Sequence, residues 1–284
     1  MRRALPALTR RWQVTALVRN IDPSLRTQGV RQVRGDLDAP TSLRRLAGIA
    51  DAVLHSAPPP NEGEGDPRTQ RLLATLARAR SLPRRLVYIS TSGVYGHCSG
   101  AVVSESRPCR ASTARARRRV AAESLLRAAG KRGLRVSILR APGIYASDRL
   151  PLERVRRGDP VLHITEDVFT NHIHADDLAA ACVVALERGS ANRCYNINDD
   201  SAERMGDWFD KLADAFGLPR PPRVTRAEAK TRLSPMLLSF MSESRRLDNT
   251  RMQRELKLRL RYPTVDAGIA AALQQGKSSC SCSG

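Results

Sequence analysis

Ser90, Thr91 and Ser92 place three hydroxyls in succession at the end of the strongest β-type run of the chain. A hydroxyl at such a point can hydrogen-bond a carbonyl or alcohol of a bound molecule; the competing reading is that the three simply close a strand by bonding backbone groups. His172, His174, Asp176 and Asp177 form a second concentration of chemistry, because alternate residues of an extended segment point the same way. A metal there would need a third convergent ligand that the sequence does not supply, and Asp176 or Asp177 suits the cap of the helix that follows. Cys98, Cys109, Cys182, Cys194, Cys280 and Cys282 include no Cys-x-x-Cys pair and read as reduced thiols. Cys280 and Cys282 lie in a polar tail, residues 277–284, which is expected to be disordered.

These groups must be held by regular elements, and the first half of the chain alternates short β-rich runs with amphipathic helical ones, the pattern of βαβ units in a parallel sheet. Helices are expected at 5–11, 69–79 and 113–129, and strands at 12–18, 30–33, 52–55, 85–90 and 135–139. The runs Leu-Val-Tyr-Ile and Arg-Val-Ser-Ile-Leu suit strands buried on both faces. Beyond Ala141, loops rich in Pro and Gly separate helices at 177–188, 205–216, 225–230 and 249–256, with Arg220-Pro221-Pro222 as an extended connector. The fold class is therefore α/β: a doubly wound parallel sheet over 1–145 and a smaller lobe over 146–276, some segments of which return to the sheet.

The bulk numbers narrow the function. With 284 residues, 41% hydrophobic and 27% charged, the chain is ordinary for a globular protein. It lacks the ~20-residue apolar run of a membrane span, and Arg10 and Arg11 interrupt the start before a signal peptide develops. A cytoplasmic, membrane-free protein is expected. The net charge of +20 raises nucleic acid as a partner. Only five of the 48 cations are lysine, however, and the arginines are spread end to end, which resembles codon bias more than a basic face. The densest cluster, Arg115, Arg117, Arg118 and Arg119, has few aromatics nearby to stack on bases, so nucleic-acid binding is the weaker reading.

Six segments, taken in order, resemble the extended and atypical short-chain dehydrogenases/reductases, the superfamily of NAD-dependent epimerases and dehydratases. They are Val-Thr-Ala-Leu-Val-Arg-Asn (14–20), Arg-Gly-Asp-Leu (34–37), Tyr-Ile-Ser-Thr-Ser-Gly-Val-Tyr-Gly (88–96), Leu-Arg-Ala-Pro-Gly-Ile-Tyr (139–145), His-Ile-His-Ala-Asp-Asp-Leu-Ala (172–179) and Tyr-Asn-Ile-Asn-Asp-Asp (195–200). The resemblance implies a Rossmann-type fold with ligand beyond the carboxyl ends of the strands. It places Arg19 and Asn20 at the adenosine ribose, where a cation suits a 2′-phosphate and favours NADP over NAD. Asp36 and Leu37 would flank the adenine, and Ser56, Ala57 and Pro58 would border ribose and pyrophosphate. Thr91 would occupy the catalytic Ser/Thr position, with Ser92 the close alternative. Pro142, Gly143 and Ile144 would line the cofactor, and Tyr95 and His174 the substrate.

Two departures limit this. The family's redox chemistry uses a Tyr-x-x-x-Lys pair, and none of Tyr88, Tyr95, Tyr145, Tyr195 and Tyr262 is followed four residues later by lysine. Aligning Glu123 with the glutamate that trails the motif puts Arg115 at the tyrosine position and Arg119 at the lysine position. Arginine cannot shuttle a proton near neutrality, although Arg119 can still bind ribose or phosphate. The family's glycine-rich turn is also missing: the first glycine is Gly29, and Met1 enters the pattern midway through the first helix, roughly ten residues late. A late-assigned start and a decaying gene both accommodate this, and either leaves the sheet with a gap at its middle. The expected function is an NAD(P)-binding epimerase/dehydratase-like or oxidoreductase protein acting on a small molecule such as a nucleotide-sugar, as a monomer or homodimer. The alternative is a non-catalytic nucleotide or metabolite sensor.

Overall fold

The computed structural model describes residues 1–280, the side chains of 276–280 excepted. The strands are β1 (Thr15–Val18), β2 (Arg31–Arg34), β3 (Ala52–His55), β4 (Arg85–Thr91), β5 (Val102–Val103), β6 (Arg135–Ala141), β7 (Gly143–Tyr145), β8 (Val161–Leu162), β9 (His172–His174), β10 (Arg193–Asn196), β11 (Arg223–Val224) and β12 (Arg246–Leu247). The helices are α1 (Leu5–Thr9), α2 (Pro23–Thr27), α3 (Pro67–Leu76), α4 (Ala114–Lys131), α5 (Leu152–Arg156), α6 (Ala175–Arg188), α7 (Met205–Ala215), α8 (Arg226–Arg232), α9 (Pro235–Phe240) and α10 (Val265–Cys280).

The central sheet is parallel, in the order β10-β6-β4-β3. Leu86, Val87 and Tyr88 of β4 are fully buried, as continuous apolar runs in a sheet covered on both faces must be. β4 pairs with β6 over seven positions, from Arg85↔Arg135 to Thr91↔Ala141. β1 and β2 pair in parallel with each other, Thr15↔Arg31 to Val18↔Arg34, as a separate two-stranded ladder. Among the described residues no strand joins β1 to β3, so 12–18 does not lie directly beside 52–55.

Local chemistry explains the helix boundaries. Asp66 accepts from the backbone N–H groups of Arg68 and Thr69, and Pro67 opens α3 behind it. Thr113 accepts from Ala116 N at the start of α4. One face of the sheet is closed by α6, with Ala181, Cys182 and Ala185 against Val87, Leu139 and Tyr195; the other is closed by α3 and α4, with Leu72, Ala122 and Leu126 against Leu86, Tyr88 and Ile138. The second lobe has its own core around Trp208, Phe209, Leu212, Val265 and Ile269. Two boundaries differ from expectation. The segment around 249–256 ends in a π-helical turn, Met252–Leu256. α10 carries helix through 277–280, where an unstructured tail is expected, because the apolar residues Val265, Ile269 and Ala272 dock its first turns on the lobe; residues 281–284 of that tail lie outside the described residues.

An ion pair inside the core fixes α4 to the sheet. Arg140 of β6, 2% exposed, gives Nη2 to Glu123 Oε2 at 2.6 Å and Nε to Oε1 at 3.1 Å. Ser90 at the end of β4 donates to the same carboxylate at 2.6 Å. The guanidinium lies 4.7 Å from the Tyr95 ring centroid, and the Tyr95 hydroxyl donates to Asn196 of β10 at 2.7 Å. One carboxylate thus ties α4, β4, β6 and, through Tyr95, β10. Removing a single partner of such a pair strands an uncompensated charge in the core. Glu123→Gln is expected to lower unfolding free energy by about 3–5 kcal/mol in urea denaturation, and a loss under about 1 kcal/mol would show that the pair does not hold α4 down.

Candidate functional site

The carboxyl ends of β1 to β4 and β6 open on one edge of the molecule, and most of the sequence-derived candidates gather there. Arg19 and Asn20 follow β1 and are exposed. Gly35 follows β2, and a side chain there would press on Leu17 Cδ1 at 2.9 Å and Ser42 O at 3.0 Å, so only glycine lets the loop turn back. Asp36 and Leu37 are then half-buried, with Asp36 N donating to Ser42 Oγ at 2.9 Å. Ser56 and Ala57 are half-buried after β3, and Pro58 is exposed.

Arg68, which the sequence reading did not single out, connects these loops. Its Nε and Nη2 grip Asp38 at 2.9 and 2.5 Å, and its Nη1 donates to Pro58 O at 3.0 Å. The hydrogen bonds from Arg68 to Asp38, with the nearby charges of Arg71 and Arg19, hold the Asp38 carboxyl below its ordinary pKa. Nothing in the sequence marks Arg68 beyond its place in the first turn of a helix.

At the end of β4, Thr91 is half-buried and its Oγ1 accepts from Gly93 N at 3.3 Å, the strand-closing arrangement; Ser92 is buried. The following turn ends on Gly96 at φ +67°, where a Cβ would meet Arg110 O at 2.1 Å. Arg119 turns toward β4, its Nη1 donating to Ile89 O at 2.7 Å and to the Tyr88 hydroxyl at 2.9 Å. Arg115 is exposed and stacks over Phe240 at 4.9 Å. Pro142 is half-buried at the end of β6, and Gly143 and Ile144 are exposed. Two expected substrate residues turn inward instead. Tyr95 is fully buried on Arg140, and His174, 4% exposed, accepts from Asp176 N at 3.2 Å while its ring packs 3.9 Å from that of Tyr262. His174 therefore caps α6, a role the sequence assigned to its acidic neighbours. Asp177 binds Arg261 N and Tyr262 N at 2.7 and 2.9 Å. Among the described residues no group of three or more His, Cys, Asp or Glu is placed to hold a metal.

Behind this edge lies a polar cluster without a sequence signal. His172 packs 4.4 Å from the Trp208 ring, and burial drives its pKa down to about 3, so it is neutral. The Asp199 carboxyl accepts from Ser201 N at 3.1 Å through Oδ1, while Oδ2 and the neighbouring His172 Nδ1 and Asn198 Oδ1 are buried without hydrogen-bond partners. Burial pushes Asp199 from 3.8 up to about 8. The folded protein thus holds a proton that the unfolded chain releases at lower pH, so this group's contribution to stability is lost as pH rises through that window. Unfolding free energy is expected to fall with a slope of up to about 1.4 kcal/mol per pH unit between pH 5 and 8. Asp199→Asn should flatten the slope in denaturation series across that range; an unchanged slope would assign it to other groups.

A surface depression of about 470 Å³ between α3 and α4 includes Gln70, Ala121 and Leu125 in its lining but none of the candidate residues. No helix among the described residues is long and apolar enough to cross a membrane. Residues 2–188 match a family model described as NAD(P)H-binding. A conserved protein of unknown function from Silicibacter pomeroyi has the same fold with 30% identity and a TM-score of 0.77, the match covering 96% of this chain and 94% of that one. MoeE5, solved with UDP-glucuronic acid and NAD, shares 24% identity at a TM-score of 0.71, covering 94% and 91%. UDP-glucuronic acid 4-epimerase from Bacillus cereus, solved with NAD, shares 20% identity at 0.73, covering 97% and 94%. Curated proteins offer no match. With a Rossmann-type parallel sheet, loops gathered at its carboxyl edge and a family match across 2–188, the chain belongs to the NAD(P)H-binding family and has the fold of NAD-dependent epimerases and dehydratases.

Proposed function

We propose that the chain is a nucleotide-binding protein of the atypical short-chain dehydrogenase/reductase branch that recognises NADP over NAD and does not carry out tyrosine-dependent hydride transfer. Arg119 carries this reading. It stands where the family's lysine would, yet its guanidinium is committed to Ile89 O and the Tyr88 hydroxyl, and an arginine holds its proton throughout the physiological range. The sensor reading is supported further by the remaining hydroxyls. Thr91 is engaged by Gly93 N and Tyr95 by Asn196. Catalysis, if retained, would rest on Thr91.

The residues present suit a dinucleotide at its two ends. Arg19, exposed after β1, would suit a 2′-phosphate, and Arg119, Thr91 and Pro142 to Ile144 would meet a second ribose and base. They do not suit the middle. A diphosphate is received by the N–H groups of a glycine turn leading from a strand into a helix. Here Arg2–Ala4 begin the first helical turn, Arg3 is already held by Asp148 and Asp176 at 2.7 Å each, and β1 and β3 pair with β2 and β4 but not with each other. By likeness to MoeE5, the molecule taken by the second lobe would be a nucleotide-sugar or a related metabolite.

The adenosine end can be tested without the diphosphate. Calorimetric titration should show adenosine 2′,5′-bisphosphate binding about tenfold more tightly than adenosine 5′-monophosphate, the preference that one charge-assisted arginine contact supplies. Arg19→Asp should abolish that preference. Equal affinities in the parent protein, or an unchanged ratio in the variant, would remove Arg19 from the site.

A further inference from the structure

We propose that Cys109 is a site of modification by peroxide, and that the unfilled half of the Arg140 guanidinium holds the oxygen the sulfur gains. Arg140 is 2% exposed and carries its N–H groups in one plane. Nε and Nη2 grip the two oxygens of Glu123, which uses the Nη2 hydrogen on the Nε side. The other Nη2 hydrogen is donated to Cys109 Sγ at 3.1 Å. In a planar guanidinium that hydrogen runs parallel to one on Nη1, and the two form the fork that elsewhere takes a pair of oxygens from a carboxylate or phosphate. Nη1 is buried and has no hydrogen-bond partner. One prong of the fork thus ends on the sulfur, and the prong beside it is unfilled.

Sulfur is a weak acceptor, and an orphaned N–H on a buried cation is costly. An oxygen bonded to Sγ would stand opposite Nη1 and complete the fork with a charge-assisted bond. The neighbouring oxygens are already committed. Glu123 is held by Nε, Nη2 and Ser90, and the Tyr95 hydroxyl is given to Asn196 while its ring covers the guanidinium at 4.7 Å. Cys109 is half-buried, within reach of a small oxidant, whereas Cys98, Cys182 and Cys194 are buried. Burial pushes the Cys109 thiol up, Glu123 adds to this, and the charges of Arg140 and Arg127 oppose it. The thiol is therefore protonated near neutrality and reacts slowly. What the site supplies is retention of the product, not speed.

The step balances with a hydroperoxide as oxidant. The sulfur attacks one peroxide oxygen, so that an S–O bond forms and the O–O bond breaks. The thiol proton leaves with the other oxygen as water or an alcohol; sulfur is oxidised and the peroxide reduced. The sulfenic acid then gives its proton to solvent, and the sulfenate oxygen accepts from Nη1. Cys109 lies in the connection from β5 to α4, so the new bond would tie that connection to β6. The inference stands on the Arg140 geometry and is independent of the nucleotide reading.

The test uses the full chain with Cys280→Ser and Cys282→Ser, so that the tail thiols cannot resolve the adduct. The folded protein is treated with hydrogen peroxide, the excess is destroyed with catalase, and after increasing delays the chain is unfolded in urea with dimedone and each cysteine is read by peptide mass spectrometry. Dimedone-reactive Cys109 is expected to survive at least about tenfold longer in the folded chain than in one oxidised and kept in urea, the factor one charge-assisted bond supplies. Arg140→Lys keeps a charge opposite Glu123 but presents no fork, and its Cys109 adduct should decay at the unfolded rate. Equal survival in the folded and urea-treated parent would overturn the proposal and leave Nη1 to a water molecule, whatever the stability of the variant. Prompt conversion of Cys109 to a disulfide with Cys98 would overturn it as well.

Discussion

A parallel sheet leaves its strands no solvent-facing side, and β4 with β6 shows how this molecule meets that constraint. Their seven paired positions lie between α6 on one face and α3 and α4 on the other. The Glu123 carboxylate, buried between Ser90 and Arg140, locks α4 in place. Everything that can touch a ligand hangs from the carboxyl ends of this frame. Thr91 closes β4, Pro142 follows β6, and Arg119 reaches back from α4 to the last turns of β4. Moving α4 would displace Arg119 and relax the loops around it together.

The high arginine content acquires a structural sense. Many of these side chains act as internal donors to backbone carbonyls: Arg85 to Gly189, Arg118 to Gly63, Arg119 to Ile89, Arg226 to Met241 and Arg251 to Cys194. A planar guanidinium with five N–H groups suits this task, since one side chain can satisfy carbonyls and a carboxylate at once. Arg68, on both Asp38 and Pro58 O, is the instance nearest the candidate site. Charge used in this way stitches loops to the sheet.

Much of the frame was legible because its signals are local. Ala52–His55 is found as a strand where a short apolar run suggested one, and α3 and α4 begin at their Asp66 and Thr113 caps. The six family-like segments follow the order of the elements, and β1 with β2 forms a ladder separate from the central sheet. What escaped the sequence depends on long-range partners. Glu123 and Arg140 are 17 residues apart and look like two more charges in a charged chain until burial pairs them. The raised pKa of Asp199 comes from burial beneath the second lobe, which no spacing reveals. Tyr95 and His174 had the right chemistry for a substrate contact, but Arg140, Asn196 and the start of α6 had prior claims on them.

The central claim is that the parallel frame falls into two ladders, β1 with β2 and β3 with β4 and β6, that do not pair with each other. It is tested most directly by mapping cross-strand contacts between backbone protons with NMR. Contacts are expected from β1 to β2, from β3 to β4 and from β4 to β6, and none from β1 to β3. Direct backbone contacts between Thr15–Val18 and Ala52–His55, at the single spacing of about 4.8 Å, would contradict it.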